Sequence, residues 1–140
     1  MRETGTLNRE ISDMLSTLGH TDEIIVCDAG FAIPAGVRTV DIALADNKPT
    51  VPEVLHELRR HFSVEKLVLA EETQRTGPSR FAELAGSFGS TVGIEVIPQA
   101  EFRRRARSVK AIIRSGDFTA YSNILLVSGG GPRWYIERRE

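Results

Sequence analysis

His20 and Asp28 are the first residues whose types and spacing invite chemistry. They bracket an apolar run, Glu23-Ile24-Ile25-Val26-Cys27. Histidine is the side chain type that gives and takes a proton near neutral pH without special surroundings. Ile24, Ile25 and Val26 are consecutive β-branched residues, so the run reads as a short buried strand. Gly19 before it and Ala29-Gly30 after it are turn signals. Strand ends are where α/β proteins build their sites. Two plainer readings stand beside this one. A lone histidine ahead of a strand is more often a capping or loop residue. An aspartate just after a strand is more often a turn residue bonding its own backbone. At roughly 3.3 Å per residue, the strand also holds His20 and Asp28 on the order of 15 Å or more apart. They meet only where the chain bends sharply, or where different subunits serve one pocket.

A second group is Tyr121-Ser122-Asn123, just before another apolar run. Tyrosine offers a stacking face and a hydroxyl, and asparagine offers both donors and an acceptor. That set suits a neutral polyhydroxylated ligand such as a sugar. On composition alone, a turn packed by its tyrosine is the simpler account. Two further features point away from nucleotides and nucleic acid. Arg103-Arg104-Arg105-Ala106-Arg107 has no interleaved aromatics and reads as a solvated helix face or an inter-subunit ion pair. Ser128-Gly129-Gly130-Gly131-Pro132 lacks the following helix that a phosphate-cradling loop needs.

The elements that must position these residues follow from periodicity. Leu7, Ile11, Met14, Leu15 and Leu18 fall at helical spacing, with Asn8 as N-cap and Gly19 as terminator. Phe31 to Gly36 is a loop whose large apolar residues either fold back onto the core or line a contact surface. Val37 to Leu44 alternates and predicts a second strand. Thr50 caps a helix with a buried stripe of Val51, Val54, Leu55, Leu58 and Phe62. His56 and His61 lie off that stripe at i and i+5, not the i, i+4 spacing that chelates a metal, so both read as solvent-exposed. Strands are predicted near Val64 to Ala70, Val92 to Ile97, Lys110 to Arg114 and Asn123 to Val127. Thr73 to Ser79 reads as a loop. Helices are predicted around Phe81 to Phe88 and from Ala100 to Ser108. The alternation predicts an α/β fold: a single three-layer domain over residues 1–140, with a largely parallel sheet of about six strands flanked by helices.

Composition agrees. The chain has 140 residues, 41% of them hydrophobic and 26% charged, with a net charge of −1. Nothing global points to nucleic acid or an anionic membrane. The one cysteine, Cys27, excludes an intrachain disulfide and a cysteine-based metal site, and its apolar strand predicts a buried, inert thiol. The polar start, Met1-Arg2-Glu3-Thr4, has no apolar signal core behind it. No apolar run is long enough for a membrane span. The cytoplasm is the expected compartment.

Leu18-Gly19-His20-Thr21-Asp22, then Asp28-Ala29-Gly30 with Ile33-Pro34 behind it, resembles the N-terminal signature of the D-ribose pyranase and L-fucose mutarotase family. Ile112-Ile113-Arg114-Ser115-Gly116 through Tyr121-Ser122-Asn123-Ile124 resembles its C-terminal signature. Length, order and spacing of both motifs agree, so the resemblance spans nearly the whole chain. Asp28-Ala29-Gly30 and the strand after it lean to the ribose branch. The resemblance implies an isomerase that interconverts cyclic forms of a free monosaccharide, without metal or other cofactor. It implies His20 as proton donor, Asp28 as a substrate contact, and the Tyr121 to Asn123 segment as a further contact. It also implies that these groups meet across a subunit boundary in a ring-built decamer. Three departures stand out. Gln99 falls where ribose-type members carry a second histidine; it can hydrogen-bond a hydroxyl but cannot shuttle a proton. Arg103 stands where relatives often carry lysine. The tail from Gly130 to Glu140 is longer and more charged than the family's usual short end.

The chemistry fits the residues. Opening a hemiacetal needs a proton delivered to the ring oxygen and one removed from the anomeric hydroxyl. His20 and Tyr121 are the expected catalytic pair, with Asp28, Gln99, Ser122 and Asn123 as sugar-binding residues. The alternative is a non-catalytic sugar-binding or sensing protein on the same fold, which the loss of a second histidine allows. A further alternative is an interaction protein that uses Arg103 to Arg107 and the charged tail as its contact surface.

Overall fold

Ile24 to Cys27 of β1 (Glu23–Cys27) have no solvent exposure, and the rest of the sheet is built around them. The computed structural model describes residues 1–137. Six strands lie in the order β2 (Thr39–Asp41), β5 (Ala111–Arg114), β1, β6 (Ile124–Ser128), β3 (Val64–Ala70), β4 (Gly93–Ile97). The β2–β5, β5–β1 and β3–β4 pairs are parallel, and β6 is antiparallel to both β1 and β3. The sheet is therefore largely parallel, as expected. One edge collects the ends of β1, β3, β4 and β5 together with the start of β6. The opposite edge collects the starts of β1 and β3 and the end of β6.

Strand alternation sends side chains to two separate cores. One face packs Ile24, Val26, Leu67, Leu69, Ile113 and Leu126 against α1 (Arg9–Thr17), α2 (Val51–Arg59) and α4 (Pro78–Ala85). The other packs Ile25, Cys27, Val68, Ile112 and Leu125 against Phe102 of α5 (Gln99–Arg105). Each fully buried aliphatic side chain contributes about 1.5–3 kcal/mol. The caps are those the residue types predict. Asn8 Oδ1 accepts from Ile11 N–H at 2.9 Å, and Thr50 with Glu53 closes a capping box.

Phe31 and Ile33 fold back onto the second core, with Phe31 edge-on to Phe102 at 6.0 Å between ring centres. His56 and His61 are exposed, and His61 Nε2 meets Glu57 Oε1 one turn away at 2.8 Å. Two expectations need correction. The second strand runs only from Thr39 to Asp41, not to Leu44. Asp41 Oδ1 accepts from Ala43 N–H at 3.1 Å and turns the chain, leaving Leu44 83% exposed in a tight bend bridged between Ala45 and Lys48. The segment read as a loop from Thr73 is helical: α3 (Glu71–Thr76) follows β3 directly, and Gly77-Pro78 joins it to α4. The glycine–proline pair marks a junction of two helices, where the proline's missing N–H costs nothing.

No helix among the described residues is long and apolar enough to cross a membrane. The tail is described as far as Glu137, with Trp134 and Tyr135 exposed; its last part, residues 138–140, lies outside the described residues.

Candidate functional site

The edge where β1 ends carries most of the expected site. Asp28 is buried there, and its N–H donates to Asn123 Oδ1 at 2.9 Å. Its own Oδ1 accepts from Gly30 N–H at 2.9 Å, the local turn that an aspartate favours. Burial pushes the Asp28 carboxyl above its ordinary value, although hydrogen bonds with Gly30 and Asn123 pull the other way. Below it, Ser115 Oγ donates to the Cys27 carbonyl at 2.7 Å, and Ala29 N–H donates to the Asp117 carbonyl at 2.9 Å. The segment from Ser115 to Asn123 is thus sewn to the end of β1. Burial also raises the Cys27 thiol to about 12, so it stays protonated and inert.

Tyr121 takes a left-handed backbone, with φ at 57°. Its carbonyl accepts from Thr73 Oγ1 at 2.7 Å and from Asn123 N–H at 2.9 Å. The turn leaves the Tyr121 side chain partly exposed and buries Ser122 and Asn123. Ser122 was expected as a direct sugar contact, but its side chain has no exposure, and its hydroxyl accepts from Arg80 Nη1 at 2.6 Å. Gln99 opens α5 at the same edge, and its N–H donates to the Glu72 carboxylate at 3.1 and 3.3 Å. Its side-chain Oε1 is buried without a hydrogen-bond partner among the described residues. An acceptor left so costs about 1–3 kcal/mol.

His20 lies at the opposite edge. Its Nε2 sits 2.9 Å from Glu65 Oε2, and the ring is largely exposed. Three local features build this pair. The β3–β6 register shifts between Val64 and Lys66, a bulge that re-aims Glu65. Gly129 leaves room for the carboxylate, since a Cβ there would stand 2.6 Å from Glu65 Oε2. The turn after His20 is fixed by Gly19 N–H on Asp22 Oδ2 at 2.7 Å and Thr21 N–H on the Ser128 carbonyl at 2.7 Å. The Gly19 bond and the Lys110 ammonium hold the Asp22 carboxyl below its ordinary range. Asp28, Gln99, Tyr121, Ser122 and Asn123 thus share one edge. His20 does not join them within one chain, because the whole of β1 intervenes.

Sequence reasoning missed Glu65, Arg80 and Asp117. Asp117 sat inside the Tyr121 segment with no role attached. Arg80 is on α4, and nothing in its neighbourhood in the sequence marks it. The arginine cluster was read as a solvated face or an inter-subunit ion pair. Arg103, Arg104 and Arg107 are exposed, as that reading expects, whereas Arg105 pairs within the chain, with Glu23 at 2.9 Å and Glu95 at 3.0 Å. Arg103, Arg104 and Arg107 line a groove of about 390 Å³ with Ala32, Ile33, Pro34 and Ala100.

Known proteins are similar to this chain in sequence and in fold. The chain is 39% identical to the D-ribose pyranase of Thermotoga petrophila, an alignment covering 92% of this chain and 98% of that one. The D-ribose pyranase of Pseudothermotoga lettingae is 36% identical, over 100% of this chain and 99% of that one. The structure of Bacillus subtilis RbsD complexed with D-ribose superposes with a TM-score of 0.88 at 34% identity, covering 93% of this chain and 98% of that chain. The fucose mutarotase of Streptococcus pneumoniae, in complex with L-fucose, shares the fold at 19% identity and a TM-score of 0.71, covering 89% of this chain and 94% of that one. Residues 1–130 match the RbsD / FucU transport protein family. On sequence and fold together, the chain belongs to the RbsD / FucU family.

Proposed function

We infer that this protein is an isomerase that interconverts cyclic forms of a free monosaccharide, β-pyranose and β-furanose of D-ribose or a similar sugar. The observation that carries this is the 39% identity to a D-ribose pyranase across almost the full length of both chains. The polar edge supports it. Asp28 offers a carboxylate acceptor for sugar hydroxyls, and Tyr121 offers a ring face with a hydroxyl.

His20 delivers a proton to the ring oxygen as the bond from that oxygen to the anomeric carbon breaks. The anomeric hydroxyl gives up its proton, directly or through water, to the Tyr121 oxygen as Tyr121 passes its own phenolic proton on to solvent, and the open aldehyde forms. Bond rotation then presents a different hydroxyl, which attacks the aldehyde carbon while the proton transfers run in reverse. Glu65 holds the imidazole in place for this work. Spontaneous ring opening is already feasible. Acid–base help of about 10²–10⁴-fold, together with positioning, suffices.

His20 and the Asp28 edge serve one pocket when they come from neighbouring copies. The strand-length separation between them supports a homo-oligomer with shared sites, and the family resemblance supports a ring-built decamer working in the cytoplasm. A second reading, a sugar-binding protein without catalysis, is favoured by Gln99, which binds but moves no proton.

Saturation-transfer NMR on D-ribose at equilibrium tests the choice. Accelerated exchange between pyranose and furanose signals is expected. His20→Ala should lose about 10²–10⁴-fold of it while still binding sugar. Sugar binding by the parent protein without accelerated exchange would leave the binding reading in its place.

A further inference from the structure

Arg80 joins three things that the sugar chemistry itself does not require to be joined. Its Nη1 donates to Asp117 Oδ2 and to Ser122 Oγ, both at 2.6 Å, and its Nε stands 3.1 Å from Glu83 Oε1 on its own helix. The Asp117 side chain has no exposure, and the Arg80 side chain is one-fifth exposed. Asp117 Oδ2 also accepts from Val51 N–H, the first residue of α2, at 2.9 Å, and its Oδ1 accepts from Thr119 N–H at 2.9 Å. A single buried carboxylate therefore ties α2, α4 and the turn that leads to Tyr121. Burial works to raise the Asp117 carboxyl, and the bonds from Val51, Thr119 and Arg80 outweigh it.

We propose that Arg80 is a positioning residue that fixes the Tyr121–Asn123 turn through Asp117 and Ser122, and so sets the affinity for sugar. The turn needs such a hold. Tyr121 is in a left-handed conformation that a non-glycine residue rarely adopts unaided. Among the described residues, the hydroxyl of the residue after it is anchored by Arg80 alone. Asn123, next along, then holds the Asp28 backbone from the same turn. The guanidinium meets Glu83 through Nε and both Asp117 and Ser122 through Nη1; a lysine ammonium, one nitrogen on a flexible stem, can neutralise Asp117 but cannot be fixed from both sides and so does not hold Ser122 in place. Arg80 itself touches no sugar in this account.

The inference rests on the isomerase reading for its kinetic part only, so two kinds of measurement are paired. The first is amide hydrogen exchange in the sugar-free protein at Ser122 and Asn123, with Val26 as the core control. The second is the split of KM and kcat for D-ribose exchange. Arg80→Ala leaves a buried carboxylate unpaired and is a poor probe, because it can fail to fold. Arg80→Lys and Ser122→Ala keep the charge balance and are used instead, singly and together. Each is expected to lower protection at Ser122 and Asn123 and to raise KM about tenfold, the worth of one hydrogen bond to a charged group. Protection at Val26 and kcat are expected to stay within about twofold. The double variant should lose no more than either single one, since both break the same contact. Unchanged protection, or lowered protection with unchanged KM, overturns the proposal, as does full additivity. If the parent protein exchanges no sugar and protection still falls, Arg80 still positions the turn, with binding affinity as its consequence, while the isomerase reading falls.

Discussion

At the scale of the residue, two buried aspartates on one edge have opposite electrostatic characters. Asp117 is held below its ordinary value of 3.8, so it contributes stability above that pH and loses it as pH falls through the lowered value. Asp28 is held above 3.8. Its contribution is fully present below pH 3.8 and is lost as pH rises through the raised value, because ionising it in a buried place is unfavourable. Asp28→Asn removes that loss. Its melting temperature relative to the parent should climb in the variant's favour as pH rises from about 3 to 7, while sugar affinity falls. A variant that loses stability across that range instead would show that Asp28 is stabilised as an anion. Asp28, Tyr121 and Asn123 were legible because they fall in the two motifs that resemble the family's signatures; by type alone each fitted a turn as well. The sequence could not name Glu65 or Arg80. Each acts on a partner more than forty positions away, Glu65 on His20 and Arg80 on Ser122, and such pairings depend on which strands adjoin and on one bulge.

At the scale of the element, periodicity located all six strands, and local polar bonds decided where they stop. β2 ends early because Asp41 turns back on Ala43, a competition that alternation alone does not reveal. The bend that follows is packed against Gly116. A Cβ at Gly116 would collide with the carbonyl oxygens of Ala45 and Lys48. Its N–H donates to the Pro49 carbonyl at 2.9 Å, and its own carbonyl accepts from Asn47 N–H at 2.6 Å. Gly116→Ala should therefore cost about 1–3 kcal/mol, the usual penalty of overpacking, measured by urea denaturation. A variant as stable as the parent would mean that the bend yields freely. The loop expected at Thr73 proved helical for a related reason. Thr73 spends its hydroxyl on the Tyr121 carbonyl, so a residue that looks like loop punctuation is a helical contact to the site.

At the scale of the whole molecule, the arrangement of strands matters more than any one of them. Strand order is set by long-range pairing and was not legible in the sequence. The separation of His20 from Asp28 was legible, from strand length alone. If neighbouring copies complete each other's pockets, two inactive variants should repair one another. His20→Ala and Asn123→Ala, each impaired alone, should regain part of the exchange activity when unfolded and refolded together, since some mixed sites then hold both native residues. No recovery in assemblies shown by mass spectrometry to be mixed would place His20 and Asn123 in the same chain's site.

The antiparallel strand β6 begins beside Asn123 and ends beside the glycine that makes room for Glu65. On the proposed reading, this short rod has the sugar-holding turn at its head and the turn of the proton-handling His20 bonded to its foot. Under the shared-site reading, a newly made chain holds both halves of the chemistry back to back and can use neither. The amount of working enzyme then follows the fraction of chains that have found neighbours, rather than the number synthesised.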